Sequence, residues 1–489
     1  RGPAPHDRMV PRAPDGQVGT LDGAYGDRPL SRIAWHPAYG HQPGYGPTVA
    51  YAPVQTYAHA RRHSALAEWY LTFCLFIPLF EGKFYNFFSN MAESRSFILF
   101  RLTPWNLVPT ELYFVGPGFF LGLLIYLMAR RPDRVQVRGQ MLLYIYWIIL
   151  AIGVLHGLTR GTQAWLGDFR SFLLPSLVTF WAVVLADVAR IDVVFNRLIR
   201  VAAVLALVHA AGAGLMYAHG GYQDETSLLS IEWRGCYVLL FYYCLAFART
   251  VGSDRKTPVS LICLALGLVV PLYKPVLATF VATNFILFVL AMRSGRRFGN
   301  TRIGSVLLTL FLVGGVGAVA LNFAMSLGRG YGKEQLLNRI FKYNQSYADR
   351  DVSGGRVGMW MHCLEEFAGS PAIGVGLGAR FVVARTDKIM TIPIHNLYIQ
   401  LLYQTGLVGF VPLAIIAVIW LARAYGTLAW EEERSRYWPR LGCFAFVLSV
   451  LLSSCYGDSL GVRAIAYTFW FAIAIETWAH SRVLAEQGR

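Results

Sequence analysis

The chain has 489 residues, of which 55% are hydrophobic and 15% are charged. Ordinary globular proteins carry about 25% charged residues, so this chain has too little polar surface to cover a water-soluble fold. Its apolar residues fall in runs of about 15–25, the length at which a helix crosses hydrocarbon, and not in the short alternating segments of a membrane β-barrel. The composition therefore excludes a soluble domain and predicts an all-α, polytopic transmembrane helical bundle.

The net charge is +16, but the basic residues lie in short clusters between the apolar runs. That position is typical of topology signals in membrane proteins, so we expect no nucleic-acid partner. The seven cysteines lie mostly inside apolar runs and form no C-x-x-C pair. We interpret them as small buried hydrophobic residues, not as a metal site or a disulfide framework.

Residues 1–63 are rich in Gly, Pro, Tyr and Arg and have neither helical nor strand periodicity. This composition predicts a disordered cytoplasmic tail. Because the tail is polar and has no apolar region near its start, we expect no signal peptide before the first span.

Twelve apolar segments predict about 12 membrane spans, nine within 64–325 and three within 396–480, with a short cytoplasmic tail at 481–489. They lie near 64–80, 111–128, 140–158, 171–188, 198–219, 233–249, 258–272, 275–292, 303–325, 396–421, 441–456 and 462–478.

The connections between these spans differ in charge from one side of the membrane to the other. Those on the side of the tail carry three or four Lys or Arg each, as the positive-inside rule expects of cytoplasmic loops. The one long loop, 326–395, then faces the periplasm or the outside, and we expect it to contain short helices. A loop of this length among short ones is usually functional.

A glycine-rich turn with Gly374, Gly376 and Gly378 lies in this loop and is followed by Arg380. The glycines have two readings. One is a flexible turn at the end of a helix, and the other is a set of exposed backbone N–H groups that binds an anion. Upstream, Asp349 and Asp351 are spaced like the metal ligands of some sugar transferases, or they are ordinary solvated carboxylates.

His395 follows a proline-bearing turn and opens an apolar helix at the membrane surface. An imidazole there is able to accept a proton from a hydroxyl, although a structural hydrogen-bonding role is the alternative.

Ionisable residues at the outer ends of spans are further candidates, because charge inside a membrane is costly. Several cations around one outer site would balance a lipid-linked pyrophosphate without a metal, whereas the simpler reading is snorkelling to the headgroups. The residues are Arg170, Arg234, Lys274, Asp168 and Asp458.

The loop and the span after it resemble the O-antigen ligase and polysaccharide polymerase superfamily of bacterial inner membranes. Members show His followed by Asn, Ser or Gln, nine residues and G-x-x-G, which corresponds here to His395-Asn396 and Gly406 to Gly409. The R-x3-W of Arg356 and Trp360, followed by 370-SPAIGVGLG-378, is also similar to the family's loop.

The resemblance implies glycan transfer from undecaprenyl pyrophosphate to a sugar hydroxyl at the periplasmic face, with inversion and without metal or cofactor. The acceptor would be lipid A-core for a ligase or a lipid-linked repeat unit for a polymerase. His395 would activate the acceptor hydroxyl, with Asn396 beside it, and Arg356 and Arg234 would contact the pyrophosphate. Many members have Ser-Arg where this chain has Tyr273-Lys274. Lysine keeps the positive charge but lacks the paired N–H donors of arginine, so a bidentate contact with the pyrophosphate is lost there.

Two other classes of function stay open at this point. A transporter or flippase of lipid-linked oligosaccharide predicts internal repeats and charges deep in the spans, and neither is evident. The second class is a structural or scaffolding membrane protein, in which the tail at 1–63 would carry the function.

Overall fold

The computed structural model describes the chain in twelve stretches and six single positions. The stretches are 65–76, 78–79, 140–160, 165–218, 233–252, 258–271, 273–298, 356–385, 388–392, 394–428, 434–457 and 463–486, and the single positions are 311, 314, 315, 319, 431 and 460. The predictions for the tail at 1–63, the span near 111–128, most of the span near 303–325, and Asp349, Asp351 and Asp458 lie outside the described residues.

Eleven helices and one β-hairpin make up the described part of the chain. The elements are α1 (Ala65–Phe76), α2 (Gln140–Thr159), α3 (Trp165–Val188), α4 (Ile191–Ala218), α5 (Trp233–Gly252), α6 (Pro258–Val269), α7 (Lys274–Phe298), α8 (Arg356–Ala368), β1 (Phe381–Arg385), β2 (Lys388–Ile392), α9 (Leu397–Leu428), α10 (Arg434–Ser453) and α11 (Arg463–Glu486).

Ten of the predicted spans coincide with helices of this set. By length and composition, three of the helical segments that the structure describes are long and apolar enough to cross a membrane, namely Met141–Thr159, Pro275–Arg293 and Leu397–Leu428. The helical fold of a membrane protein is therefore as predicted, whereas a count of twelve spans stays a prediction. The last helix runs to Glu486, past the predicted start of the C-terminal tail at 481.

The centre of the bundle is α5, whose residues from Cys236 to Ala248 are all buried. It packs against α4, α6, α7, α10 and α11. Its aromatic side chains interlock with those of the neighbours, as in the edge-to-face contact of Phe241 with Phe446 at 5.0 Å between ring centroids. A helix that is apolar all round is buried either in protein or in lipid, and the contacts of α5 with five neighbouring helices place it in protein.

Ion pairs join helix ends on the side predicted to be cytoplasmic. Arg190 donates to Glu68 at 2.7 Å, and Arg482 pairs with Asp187. The fully buried Arg440 bonds Glu476 at 3.0 Å and Glu431 at 3.0 Å. Each pair compensates the cost of removing its charges from water, so these contacts tie together segments that are far apart in the chain.

The long loop contains α8 and a two-stranded antiparallel hairpin. Strand β1 pairs with β2 in a register that sets Phe381 opposite Ile392 and Arg385 opposite Lys388. The all-α prediction thus needs one correction, because this hairpin is absent from it. Two strands of five residues leave too short a period-2 pattern to stand out beside the membrane spans.

Candidate functional site

Helix α9 begins with a side-chain cap that also holds it to α10. The Oδ1 atom of Asn396 accepts the N–H groups of Tyr398 at 3.0 Å and Ile399 at 3.1 Å, as an N-cap residue does. Its Nδ2 donates to the carbonyl oxygen of Cys455 at 2.7 Å. The amide predicted to bind substrate is thus engaged in contacts that position the residue before it, His395.

His395 lies at the junction between the loop and α9. Its backbone has a φ of 54°, a left-handed conformation that is uncommon for a residue with a side chain. The imidazole is half-buried, and within the described stretches neither ring nitrogen has a hydrogen-bond partner. Burial and the nearby Arg356 lower the pKa of His395 below its ordinary value of 6.5. The imidazole is therefore neutral at pH 7 and able to accept a proton.

Arg356 and Trp360 lie one turn apart on α8, so they share a face of that helix. The Nη1 atom of Arg356 donates to the carbonyl oxygen of Tyr456 at 3.1 Å. The indole N–H of Trp360 donates to the carbonyl oxygen of Ile394 at 2.8 Å. The R-x3-W pattern thus attaches α8 to both sides of the junction that carries His395.

The first turns of α5 and α7, which contain Arg234 and Lys274, lie at the same end of the bundle. The hydroxyl of Tyr456 donates to the carbonyl oxygen of Pro275 at 3.2 Å and contacts Thr279. Thr279 in turn bonds the hydroxyl of Tyr237 at 3.2 Å, one turn after Arg234. One continuous set of contacts therefore runs from Arg356 to the helix starts that carry the two predicted cations.

Asp168, which is buried, forms an ion pair with the partly exposed Arg380 on the other side of the junction. Arg380 donates to Asp168 through both terminal nitrogens, with Nη1 at 2.6 Å from Oδ2. Gln404 of α9 donates to the same Oδ2 at 2.8 Å. Snorkelling is thus the wrong reading for Asp168, because its carboxylate is held inside the protein. Arg170 lies two residues further along α3, at the same end of the bundle.

The glycine-rich turn packs against a break in α9. Val375 donates its backbone N–H to the oxygen of Tyr403 at 2.8 Å, and Gly376 donates to that of Gln404 at 3.0 Å. These carbonyls are available because Gly406 has φ 62° and ψ −168°, which interrupts the helix. The reading of the turn as exposed N–H groups for an anion is wrong at these positions, since they bond protein carbonyls.

Close backbone approach explains the glycines on both sides of this contact. A Cβ atom on Gly406 would lie 2.4 Å from the oxygen of Ala372, and one on Gly374 would lie 2.5 Å from that of Tyr403. The first glycine of the G-x-x-G motif is therefore required for the break and for the docking of the loop.

The sequence interpretation did not include Tyr456, Gln400 or Gln404. Tyr456 contributes a backbone carbonyl, which no side-chain pattern reveals. The two glutamines are buried, and their amides inside an otherwise apolar helix are the signal that would have found them. In the residues that the structure describes, no three His, Cys, Asp or Glu side chains are grouped closely enough to hold a metal ion.

Comparison with known proteins agrees with this site. Residues 245–414, which include most of the junction, match the family model described as O-antigen ligase. No curated protein matches the chain significantly. The match confirms the resemblance found in the His395 and Gly406 motif, and this part of the chain is similar to the O-antigen ligase and polysaccharide polymerase superfamily.

Proposed function

We propose that this protein is a metal-independent, inverting glycosyltransferase of the bacterial inner membrane. It moves a glycan from undecaprenyl pyrophosphate to a sugar hydroxyl at the periplasmic face, as an O-antigen ligase or a surface polysaccharide polymerase. The family match supports the class of enzyme, and the site geometry supports the residue roles.

The observation that carries the proposal is the state of His395. Its pKa is lowered by burial and by Arg356, so the ring is neutral and its basic nitrogen is available at pH 7. In the proposed reaction this nitrogen takes the proton of the acceptor hydroxyl. The oxygen then attacks the anomeric carbon on the face opposite the pyrophosphate, so a single displacement inverts the configuration.

The leaving group requires positive charge more than it requires covalent chemistry. When the bond from the anomeric carbon to the phosphate oxygen breaks, its electron pair stays on undecaprenyl pyrophosphate. Arg356 has five N–H donors, and only one of them is bonded within the described residues. The others, with Arg234, Lys274 and Arg170 at neighbouring helix ends, would stabilise the developing charge.

The contact pattern also supports the proposed sidedness. Glu68, Arg190, Arg440 and Glu476 pair at helix ends assigned to the cytoplasm, whereas Arg356, His395 and Asp168 gather at ends assigned to the periplasm. Each group connects segments that the charge rule puts on one side.

The alternative, a flippase of lipid-linked oligosaccharide, is favoured by one feature of the described helices, the break in α9 at Gly406. Transporters use such breaks to coordinate a substrate with freed backbone groups. Here the freed carbonyls of Tyr403 and Gln404 accept N–H groups of the glycine-rich turn. The break thus has a structural use in this protein.

The test is glycan transfer by purified protein in lipid vesicles. Undecaprenyl pyrophosphate-linked oligosaccharide serves as donor, and lipid A-core or a second lipid-linked oligosaccharide serves as acceptor. We expect wild type to form product in EDTA and His395→Ala to lose at least about 100-fold in rate, the lower range for removal of a general base.

The matched control is His362→Ala, which removes an exposed histidine of α8 that pairs with Glu366 at 3.1 Å. It should keep wild-type activity. Full activity of His395→Ala would show that another group is the base. Loss of activity in EDTA would show that a metal is required.

A further inference from the structure

Two glutamines lie one turn apart on the face of α9 that follows His395. Gln400 is 5% exposed and Gln404 is completely buried. The Oε1 atoms of both are buried, and neither has a hydrogen-bond partner in the part of the chain that the structure describes. Buried amide oxygens are rarely left unpaired in proteins, because desolvation is then uncompensated.

The two amides differ in what else they contact. Gln404 donates through Nε2 to Asp168 at 2.8 Å and to the oxygen of Ala379 at 3.0 Å, so its side chain already joins α9 to α3 and the glycine-rich turn. Gln400 has no side-chain hydrogen bond within the described residues. Its polar group therefore has no use in holding the described fold together.

Gln400 lies one helical turn after Asn396, whose carbonyl oxygen accepts the backbone N–H of Gln400 at 2.9 Å. Long side chains on a helix lean toward the helix N-terminus, so that of Gln400 leans toward the turn that begins with Asn396 and His395. One helical turn is about 5.4 Å, which is about the width of a sugar ring. A sugar whose reacting hydroxyl contacts His395 would thus bring a neighbouring hydroxyl to Gln400.

We propose that Gln400 is a specificity-determining residue, whose amide oxygen accepts a hydrogen bond from an acceptor-sugar hydroxyl next to the one that reacts. This inference rests on the proposed function, because it takes the sugar against His395 to be the acceptor. The hydroxyl supplies the donor that Oε1 lacks, and the interaction is available only when the acceptor is bound. An ordered water and a hydroxyl of the donor glycan are the alternatives.

The test is Gln400→Met, which keeps an unbranched side chain of similar size and removes the amide. Removal of an unpaired buried oxygen should leave the melting temperature of the substrate-free protein unchanged or raise it. The KM for acceptor should rise about tenfold, the effect of one lost hydrogen bond, with little change in kcat or in the KM for donor.

Gln404→Met is the matched control on the same face of the same helix. It removes two hydrogen bonds that the structure shows, so its melting temperature should fall. A melting temperature that falls in Gln404→Met but not in Gln400→Met would distinguish a structural amide from a ligand-binding one.

Three results would overturn the inference. A lower melting temperature of Gln400→Met with unchanged KM would make Gln400 structural, and unchanged values of both would leave only a water at Oε1. A rise in the KM for donor alone would assign the hydroxyl to the donor glycan. Failure of wild type to transfer glycan, or full activity of His395→Ala, would instead contradict the proposed function itself.

Discussion

Trp360 donates its indole N–H to the carbonyl oxygen of Ile394, the residue that directly precedes His395, at 2.8 Å. The bond fixes the backbone where His395 adopts its left-handed conformation. Trp360 therefore acts on His395 through the backbone, as a positioning residue.

Trp360→Phe should lower kcat about tenfold, with a smaller change in KM, because the aromatic packing stays while one hydrogen bond is lost. Glycan transfer in vesicles measures both. Trp147→Phe is the control, since it removes a similar indole bond, to Ser176 at 2.8 Å, between α2 and α3. Equal effects of the two variants on kcat would argue against positioning by Trp360.

The acid limb of the pH–rate profile should report on His395. The base must be neutral, so activity falls as pH drops through its pKa, which lies below 6.5 because of burial and Arg356. Arg356→Gln removes the positive charge that lowers this pKa, so the limb should move to higher pH. Arg356→Lys retains the charge and should leave the limb near its wild-type position. If the acid limb does not move in Arg356→Gln, the group that titrates in the pH–rate profile is not His395.

Gly406→Ala should destabilise the protein by about 2–3 kcal/mol or more. The backbone there is in a region that is almost exclusive to glycine, and the new Cβ would lie 2.4 Å from the oxygen of Ala372. Gly426→Ala in the same helix is the control. A Cβ at Gly426 meets nothing within 4 Å, so stability should stay the same or rise by up to about 1 kcal/mol. Thermal unfolding in detergent measures both, and equal melting temperatures would contradict the break at Gly406.

Asp168→Asn should destabilise the protein by about 1.5–3 kcal/mol, the contribution of hydrogen bonds to a charged group, because Arg380 of this pair is partly exposed and keeps access to solvent. The variant leaves Arg380 without its carboxylate and loosens the glycine-rich turn from α3. Glu365→Gln, which changes an exposed carboxylate on α8, is the control with the same loss of charge. If both variants unfold at the wild-type temperature, the ion pair does not hold the turn.

Much of the site was predictable because the family motif is local in sequence. His395, Arg356 and the glycines lie within 54 residues of one another, and their spacing predicted that the loop is functional. The role of Asn396 and the use of the glycine N–H groups were not predictable in this way. Asn396 bonds the turn after α10, and the glycine-rich turn bonds a break inside α9, so both depend on how distant segments pack.

The sequence by itself determined that this is a helical membrane protein, since apolar run length and loop charge are local properties that a bilayer selects directly. Only the tertiary structure decided which polar groups meet. Asp168 and Arg380 are 212 residues apart, and Arg356 and Tyr456 are 100 apart. A buried polar group must find a partner wherever the packed helices bring one, and that choice is made by the packing of the whole bundle.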